Sequence, residues 1–314
     1  VESSISQKLG SRYSLSPESL SYTTGVAYRG TLVEEADLEE ALSQSLRVVE
    51  HGYALYVNGE FIGATQTEGA LDELMAQGYK FVTVEELAGG LLPFLEDTLF
   101  HREIVLVPGL KTVHDDITFV NNMRGEEIEI VGALDELQSM GAPHDLALIL
   151  PGSHTHVTCL QGEQITGIIS NFTGELFHAI QKDTILSPVL QWDGSPPDRE
   201  MVLKGYENLE KFGFNRALYI CRAMDAFGEG TPAQRFSYGE GVILGGVRQS
   251  LEYYCRNFWP GCRTAALVSD EFMYQLFSIL LEDSPCIDQV LWLPISEGKS
   301  YGVNGLKKIL SRRQ

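Results

Sequence analysis

Two histidines separated by one residue follow a Pro-Gly turn in the middle of the chain. His154 and His156 come shortly after the apolar segment 147–150. A His-X-His pair on a strand points both imidazoles to one face, so the pair could bind a metal ion and serve a metal-assisted hydrolase. No third ligand is obvious nearby, because His144 precedes the strand and His178 lies well after it. Polar residues at the end of an ordinary strand are a second interpretation.

The same turn could instead bind an anion. Gly152 and Ser153 let backbone N–H groups approach an anion with no Cβ in the way, and the Ser153 and Thr155 hydroxyls can donate. A second turn, Thr173-Gly174, precedes a predicted helix whose first N–H groups are suited to anions. Two such turns joined by one hairpin suit the phosphates of a nucleotide, or a carboxylate. We therefore favour anion binding over a metal site.

A second group of polar residues precedes this region by about thirty positions. Asp115 and Asp116 could accept the proton of a substrate hydroxyl, or bind magnesium. Arg124 lies where a loop meets a predicted helix, and its planar guanidinium suits a carboxylate or a phosphate. Glu126 and Glu127 fall in the first turn of that helix, where negative side chains are favourable because of the helix dipole alone.

Strand and helix patterns alternate around these residues and predict an α/β fold. Apolar runs and turn signals predict strands at 103–110 and 145–153, a hairpin about residues 161–162, and a strand at 289–295. Helical periodicity and capping signals predict helices at 125–137, 174–180, 199–211, 213–226, 232–256, 269–282 and 304–313.

The N-terminal third has patterns of its own. Residues 34–50 place leucines on one face and acids opposite, which predicts an amphipathic helix. Residues 54–65 alternate around Asn58-Gly59, the favoured pair for a tight β-hairpin. A capping box formed by Thr83 and Glu86 predicts a helix over 83–95.

Composition limits the possible functions. The 314 residues are 44% hydrophobic, which is enough for a large core, and the length suggests two lobes. A formal net charge of −20 argues against a nucleic-acid surface, but allows a small anionic ligand at a few local cations. The sequence shows no membrane span and no signal peptide, so we expect a cytoplasmic protein. Five widely spaced cysteines without a CxxC pair predict reduced thiols.

Four segments, taken in order, resemble the 2-dehydro-3-deoxygalactonokinase family. They are "PGL…HDD…NNMRGEE…IVGA", "LPGSHTHV", "FTGELFHAI" and "GVILGGV", and the resemblance covers roughly residues 81–256. The family phosphorylates a 2-keto-3-deoxy sugar acid, such as 2-dehydro-3-deoxygalactonate, from ATP. Its fold is the two-lobed actin-like (ribonuclease H-like) sugar-kinase fold with a central cleft. The resemblance implies ATP and Mg²⁺ as cofactors and small molecules as partners, with no nucleic acid or membrane, and it allows a homodimer.

The resemblance also implies roles for individual residues. Residues 151–154 would form the second phosphate loop, and the lobes would be residues 1–143 and 144–314. The implied phosphate- and nucleotide-binding residues are Gly152, Ser153, His154, Thr173, Gly174, Gly241 and Gly245. The implied sugar-acid contacts are Arg124, Glu127 and Asp115, and Asp116 is our candidate for the catalytic base.

The chain departs from the family pattern in two places. Residues 1–82 contain no Asp-X-Gly-Thr-Thr-Asn segment, which forms the family's first phosphate loop and binds its metal ion. Ser269-Asp270 stands where the family's adenosine loop has a small glycine turn, so Asp270 would bring a negative charge towards a nucleotide. The N-terminus could be incomplete, the first lobe could have diverged, or the fold could be kept without turnover. The alternative to a sugar-acid kinase is therefore a kinase-like protein that binds a sugar acid or a protein partner.

Overall fold

The computed structural model describes the backbone of five short strands before residue 107, and both backbone and side chains of residues 107, 109–112, 114–296 and 299–312. The chain divides into two compact units. Unit 1 contains residues 1–78 and 87–111, and unit 2 contains residues 79–86 and 112–314. The lobe boundary expected between residues 143 and 144 stays a prediction.

Unit 1 contains short antiparallel sheets. Strands β1 (Gln44–Val49), β2 (Gly52–Val57) and β3 (Glu60–Thr65) form a three-stranded sheet in that order. Strand β4 (Leu92–Phe94) pairs with β5 (Ile104–Leu106), and β6 covers Leu110–Lys111. The hairpin expected over 54–65 is confirmed, because β2 and β3 pair antiparallel with Val57 opposite Glu60.

Two helix predictions in unit 1 are wrong where the structure describes them. Residues 44–49 of the predicted helix 34–50 are strand β1, because their backbone groups pair with β2 and extend the hairpin to three strands. Residues 92–94 of the predicted helix 83–95 are strand β4. Pro93 lacks an N–H and is unfavourable inside a helix, which capping and periodicity did not take into account. The remaining residues of both predictions lie outside the described part of the chain.

Unit 2 is built on a five-stranded mixed sheet with the order β10-β9-β8-β11-β12. Its strands are β8 (Asp145–Leu150), β9 (His154–Gln161), β10 (Gln164–Phe172), β11 (Thr264–Ser269) and β12 (Gln289–Pro294). Strands β8, β11 and β12 run parallel, and β9 runs antiparallel to both of its neighbours, β8 and β10. A short 3-10 helix (Ile117–Phe119) and strand β7 (Asn122–Met123) precede this sheet.

Seven α-helices are described in unit 2. They are α1 (Glu126–Ser139), α2 (Gly174–Asp183), α3 (Arg199–Phe212), α4 (Phe214–Phe227), α5 (Pro232–Asn257), α6 (Glu271–Leu281) and α7 (Tyr301–Ser311). Both ends of each helix lie within three residues of the ends of a predicted helix. The predicted α/β class is therefore confirmed.

The sheet is buried on both faces, as its apolar strands require. Ala147 and Ile149 of β8 belong to the large core formed with helices α3 to α6. Leu148 and Leu150 are also buried but lie outside that core, because alternate residues of a strand point to opposite faces. Helix α1 packs against α7 and β12.

Helices α1 and α7 cross at two glycines. A Cβ on Gly305 would lie 1.8 Å from the carbonyl oxygen of Ile128, and one on Gly132 would lie 1.9 Å from the carbonyl oxygen of Tyr301. The contact is extended by Glu136, which accepts a hydrogen bond of 2.7 Å from the Tyr301 hydroxyl. This crossing fixes the position of α1, and with it the residues at the start of that helix.

The five cysteines are all free and buried in unit 2, in agreement with the expected reduced thiols. Among the residues that the structure describes, no helix combines the length and apolar character needed to cross a bilayer.

We expect Gly305→Ala to reduce the free energy of unfolding by about 1–3 kcal/mol, because the added methyl group overlaps a backbone carbonyl that cannot move without shifting α1. Gly246→Ala on α5 is the matched control, since no atom lies within 4 Å of its Cβ position. It should leave stability unchanged or raise it by up to about 1 kcal/mol. Urea unfolding followed by circular dichroism measures both, and equal stability of the two variants would show that the helices do not cross this closely.

Candidate functional site

The turn between β8 and β9 is open to a ligand. Strand β8 ends at Leu150 and β9 begins at His154. Gly152 is exposed, and a Cβ there would meet one atom, the carbonyl oxygen of His154 at 3.3 Å. The hydroxyl oxygen of Ser153 is buried and has no hydrogen-bond partner within the described residues. The turn therefore offers accessible backbone and a donor with no partner, as the anion interpretation requires.

The start of α2 touches this turn. A Cβ on Gly174 would lie 2.2 Å from the carbonyl oxygen of Gly152, so glycine is required for the contact. The N–H of Glu175 donates to the carbonyl oxygen of Ser153 at 2.8 Å. The two turns predicted to bind an anion are therefore brought together.

Thr173 links the β9–β10 hairpin to the start of α2. It occupies the N-cap position of α2, but its side chain makes no capping hydrogen bond. Its hydroxyl oxygen instead lies 2.8 Å from that of Thr155, in a buried contact between the two turns. The hydroxyl therefore joins the hairpin to α2, a role that the local sequence pattern did not reveal.

His154 lies beside the same turn. Its Nε2 is 3.3 Å from Oε2 of Glu175, and its ring centroid is 5.6 Å from that of Phe172. Both side chains of the His154–Glu175 pair are partly exposed. The pair places one imidazole and one carboxylate at the edge of the turn that is predicted to bind an anion.

The residues before α1 form a second tight turn. Gly125 has φ of 113°, which L side chains rarely adopt, and it is the N-cap of α1. The backbone N–H of Arg124 donates to Oε2 of Glu126 at 3.2 Å, and that of Gly125 donates to Oε2 of Glu127 at 2.7 Å. The two glutamates therefore fold back and satisfy the backbone of their own turn, while Arg124 is exposed.

Burial changes the acid–base character of these glutamates. Glu127 is 1% exposed, and its Oε1 has no hydrogen-bond partner in the described part of the chain. Burial raises the pKa of Glu127 to about 8, with the charge of Glu126 adding to the effect. Burial likewise raises the pKa of Glu129 to about 7. Glu127 is therefore largely a neutral acid at pH 7, able to donate a hydrogen bond, which the helix-dipole interpretation did not foresee.

His156 connects the two turns. Its ring centroid is 6.2 Å from that of His154, and its Nε2 is 3.9 Å from Oε2 of Glu126. The sequence suggested no partner for His156, because Glu126 is thirty residues away and only the packing of α1 against this end of the sheet brings the two together. His156 therefore lies near both His154, at the start of β9, and Glu126, at the start of α1.

Asp115 and Asp116 stand apart from this group. Asp116 is the exposed N-cap of the 3-10 helix, and its Oδ1 accepts the N–H of Thr118 at 2.9 Å. That hydrogen bond lowers the pKa of Asp116, so its carboxylate is ionised at neutral pH. Among the described residues, no hydrogen bond or ion pair joins either aspartate to Arg124 or Glu127. Their assignment to the site stays a prediction.

Gly241 and Gly245 lie where α5 packs against α3. A Cβ on Gly241 would be 2.1 Å from the carbonyl oxygen of Val202, and one on Gly245 would be 2.8 Å from the ring of Tyr206. Helix packing alone therefore requires glycine at both positions. Their expected contact with a nucleotide stays a prediction.

A metal centre at the two histidines gains no support from their surroundings. Within residues 114–296 and the other described segments, no three His, Cys, Asp or Glu side chains are grouped as metal ligands.

We expect Glu127→Gln to stabilise the protein increasingly as the pH rises. The raised pKa means that the folded state keeps a proton that the unfolded state loses above about pH 4.5, so wild-type stability falls between that pH and about 8. Glutamine does not titrate, and the difference in unfolding free energy should grow by up to about 1.4 kcal/mol per pH unit. Unfolding at pH 5.5, 6.5 and 7.5 measures the slope. Glu163→Gln on the exposed β9–β10 turn is the control. The same dependence of unfolding free energy on pH in both variants would contradict the prediction.

A solved structure shares this fold. It is a crystal structure of a Sinorhizobium meliloti protein assigned provisionally as a 2-dehydro-3-deoxygalactonokinase, and it aligns with a TM-score of 0.56 over 84% of this chain and 95% of that chain. The two sequences are 19% identical, so the likeness concerns the fold alone.

Two curated proteins are similar in sequence over part of their length. The probable 2-dehydro-3-deoxygalactonokinase DgoK1 of Rhizobium meliloti (strain 1021) is 37% identical over 86 residues, which are 27% of this chain and 26% of that protein. The 2-dehydro-3-deoxygalactonokinase of Escherichia coli (strain K12) is 28% identical over 156 residues, which are 48% of this chain and 49% of that protein. Each match therefore spans about half or less of the relative.

The family model described as 2-keto-3-deoxy-galactonokinase matches residues 77–291, more than half of the chain. This range contains both turns of the candidate site and the whole sheet of unit 2 except the last residues of β12. The chain belongs to the 2-keto-3-deoxy-galactonokinase family.

Proposed function

We propose that this protein transfers the γ-phosphoryl group of ATP to a hydroxyl of a 2-keto-3-deoxy sugar acid such as 2-dehydro-3-deoxygalactonate. The observation that carries the proposal is the contact between the turn at Gly152 and the start of α2, together with the 3.9 Å approach of His156 to Glu126 in the turn at Arg124–Glu127. One turn is suited to phosphates and the other to a hydroxylated acid. Family membership supports the same pair of substrates.

We propose a two-lobed actin-like (ribonuclease H-like) fold with a central cleft and lobes at 1–143 and 144–314, and the sheet order supports the position of its ligand-binding turn. From β8 the chain continues to β9 on one side, whereas β11 and β12 lie on the other side. Open α/β sheets bind ligands at the carboxyl ends of strands where the order reverses in this way. The turn after β8 is at that position, which makes it our proposed second phosphate loop.

The phosphate loop would act by position and hydrogen bonding. Backbone groups of Gly152 and Ser153 would approach the phosphates from one side, and the start of α2 at Thr173–Gly174 from the other. The Ser153 hydroxyl, which is buried without a partner among the described residues, would gain an acceptor in a phosphate oxygen. Phosphoryl transfer depends on positioning and charge neutralisation, so these groups supply what the chemistry needs.

The sugar acid would bind at the turn before α1. The exposed guanidinium of Arg124 would bind the substrate carboxylate through two hydrogen bonds. The neutral acid of Glu127 would donate to a keto or carboxylate oxygen from Oε1. In this proposal Asp115 adds a further substrate contact, and Asp116, ionised and exposed, accepts the hydroxyl proton.

Mg²⁺ would accompany ATP and neutralise charge on the transferred phosphoryl group. The ion commonly takes one or two carboxylates together with phosphate oxygens and water, so it does not need a cluster of protein ligands. Glu175 fits this requirement, because its backbone is bonded to Ser153 and its side chain is partly exposed. We propose no other protein ligand for the ion.

Sugar-dependent release of ADP tests the proposal. The protein is incubated with ATP, Mg²⁺ and 2-dehydro-3-deoxygalactonate, and ADP is compared with the same mixture without the sugar acid. We expect turnover that requires the sugar acid. A folded protein that binds the sugar acid without turnover would instead be a kinase-like binding protein, and one that binds neither ligand would refute the proposal.

Substitutions in the two turns should raise the KM for different substrates. We expect Gly152→Val to raise the KM for ATP about 10-fold or more at nearly unchanged stability, because its side chain would fill the phosphate position but meets little of the protein. Arg124→Ala is the counterpart and should raise the KM for the sugar acid about 10- to 100-fold, with little change for ATP. Steady-state kinetics with each substrate varied measures both, and equal damage to both KM values in either variant would contradict its assigned role.

A further inference from the structure

The hydrogen bonds around Ser170 determine which nitrogen of His156 carries a proton. The Ser170 hydroxyl donates to the carbonyl oxygen of Asn122 at 2.7 Å, which uses its single hydrogen. The same hydroxyl oxygen lies 3.2 Å from Nδ1 of His156 and can therefore only accept there. His156 must donate from Nδ1, so in the neutral ring Nε2 is a bare acceptor. Burial lowers the pKa of His156, which favours the neutral ring at pH 7.

The bare nitrogen of His156 faces another acceptor. Oε2 of Glu126 lies 3.9 Å from Nε2, and it already accepts the backbone N–H of Arg124. No donor in the described part of the chain forms a hydrogen bond with Nε2. Both side chains are nearly buried, at 7% and 11% exposed. Two acceptors that face each other in a poorly hydrated place are unfavourable unless a ligand supplies hydrogens.

The distance between Nε2 of His156 and Oε2 of Glu126 indicates which type of ligand could satisfy both atoms. At 3.9 Å this distance is too long for a direct hydrogen bond between the two groups. A single hydroxyl has one hydrogen and can satisfy only one acceptor. Two hydroxyls on neighbouring carbon atoms lie close enough to donate one hydrogen each, to Nε2 and to the carboxylate.

We propose that His156 and Glu126 form a pair of hydrogen-bond acceptors that binds two adjacent hydroxyl groups of the sugar acid. The inference rests on the proposed function and assigns two residues to substrate specificity. A 2-keto-3-deoxy acid has no hydroxyl on the two carbons that follow its carboxylate, and its adjacent hydroxyls lie further along the chain. The Arg124 and Glu127 side chains would thus bind the acid end, and the acceptor pair would bind the polyol end.

Isothermal titration with two ligands tests the pair. The ligands are 2-dehydro-3-deoxygalactonate and 2-oxohexanoate, which has the same chain length and keto acid but no hydroxyls. His156→Asn keeps a donor for Ser170 and removes the acceptor at the ε position. We expect it to weaken binding of the sugar acid about 10- to 100-fold and to leave binding of 2-oxohexanoate unchanged.

Three further variants test whether His156 and Glu126 bind the ligand or only stabilise the fold. His156→Gln supplies an oxygen at the ε position and should recover part of the lost affinity. Glu126→Gln preserves the volume and can still accept the N–H of Arg124, but it replaces the carboxylate with a weaker, neutral acceptor and should weaken sugar-acid binding as well. His144→Asn changes an exposed histidine at the other end of the hairpin and should bind both ligands like the wild type.

The outcomes distinguish this inference from the proposed function. If the wild type binds the sugar acid and His156→Asn binds it equally well, the acceptor pair is refuted while the kinase proposal stands. If the wild type binds no sugar acid, the proposed function fails and this inference fails with it. Nitrogen-15 spectra of the histidine rings give an independent check, and a proton on Nε2 of His156 at pH 7 would overturn the inference.

Discussion

Gly132 and Gly305 let helices α1 and α7 approach until the backbone of one touches the backbone of the other. A contact of this kind has no adjustable side chain, so it fixes the helix axes more firmly than ordinary packing does. The turn at Arg124–Glu127 leads into α1, and its position relative to β9 depends on this crossing. Glu126 therefore lies 3.9 Å from His156, although the two residues belong to different elements.

The candidate site combines buried acids with a strongly negative chain, yet the proposed substrates are anions. The carboxylates in the turn at Arg124–Glu127 are hydrogen-bonded to their own backbone, and burial keeps Glu127 largely neutral at pH 7. The local field therefore depends on Arg124 and on backbone N–H groups as well as on Glu126. A net charge of −20 describes the protein surface and says little about this small region.

The sequence predicted the elements of unit 2 well, because capping signals and apolar periodicity agree there with the tertiary packing. It failed at β1 and β4, where strand pairing and a proline outweighed a helix-like pattern. The turns at Gly152 and Gly174 were predictable from local glycines. The proximity of Glu126 and His156 was not, because it depends on which strand lies beside the start of α1.

The distribution of cysteines gives the chain a built-in chemical reporter. All five thiols are buried in unit 2, and the sequence places none in unit 1. Burial raises the pKa of the Cys159 thiol to about 11 and that of Cys221 to about 12, so neither is a reactive thiolate while the core is closed. Alkylating reagents would therefore modify these two positions only when unit 2 opens. Their labelling rates would report the opening of that unit separately from any event in unit 1.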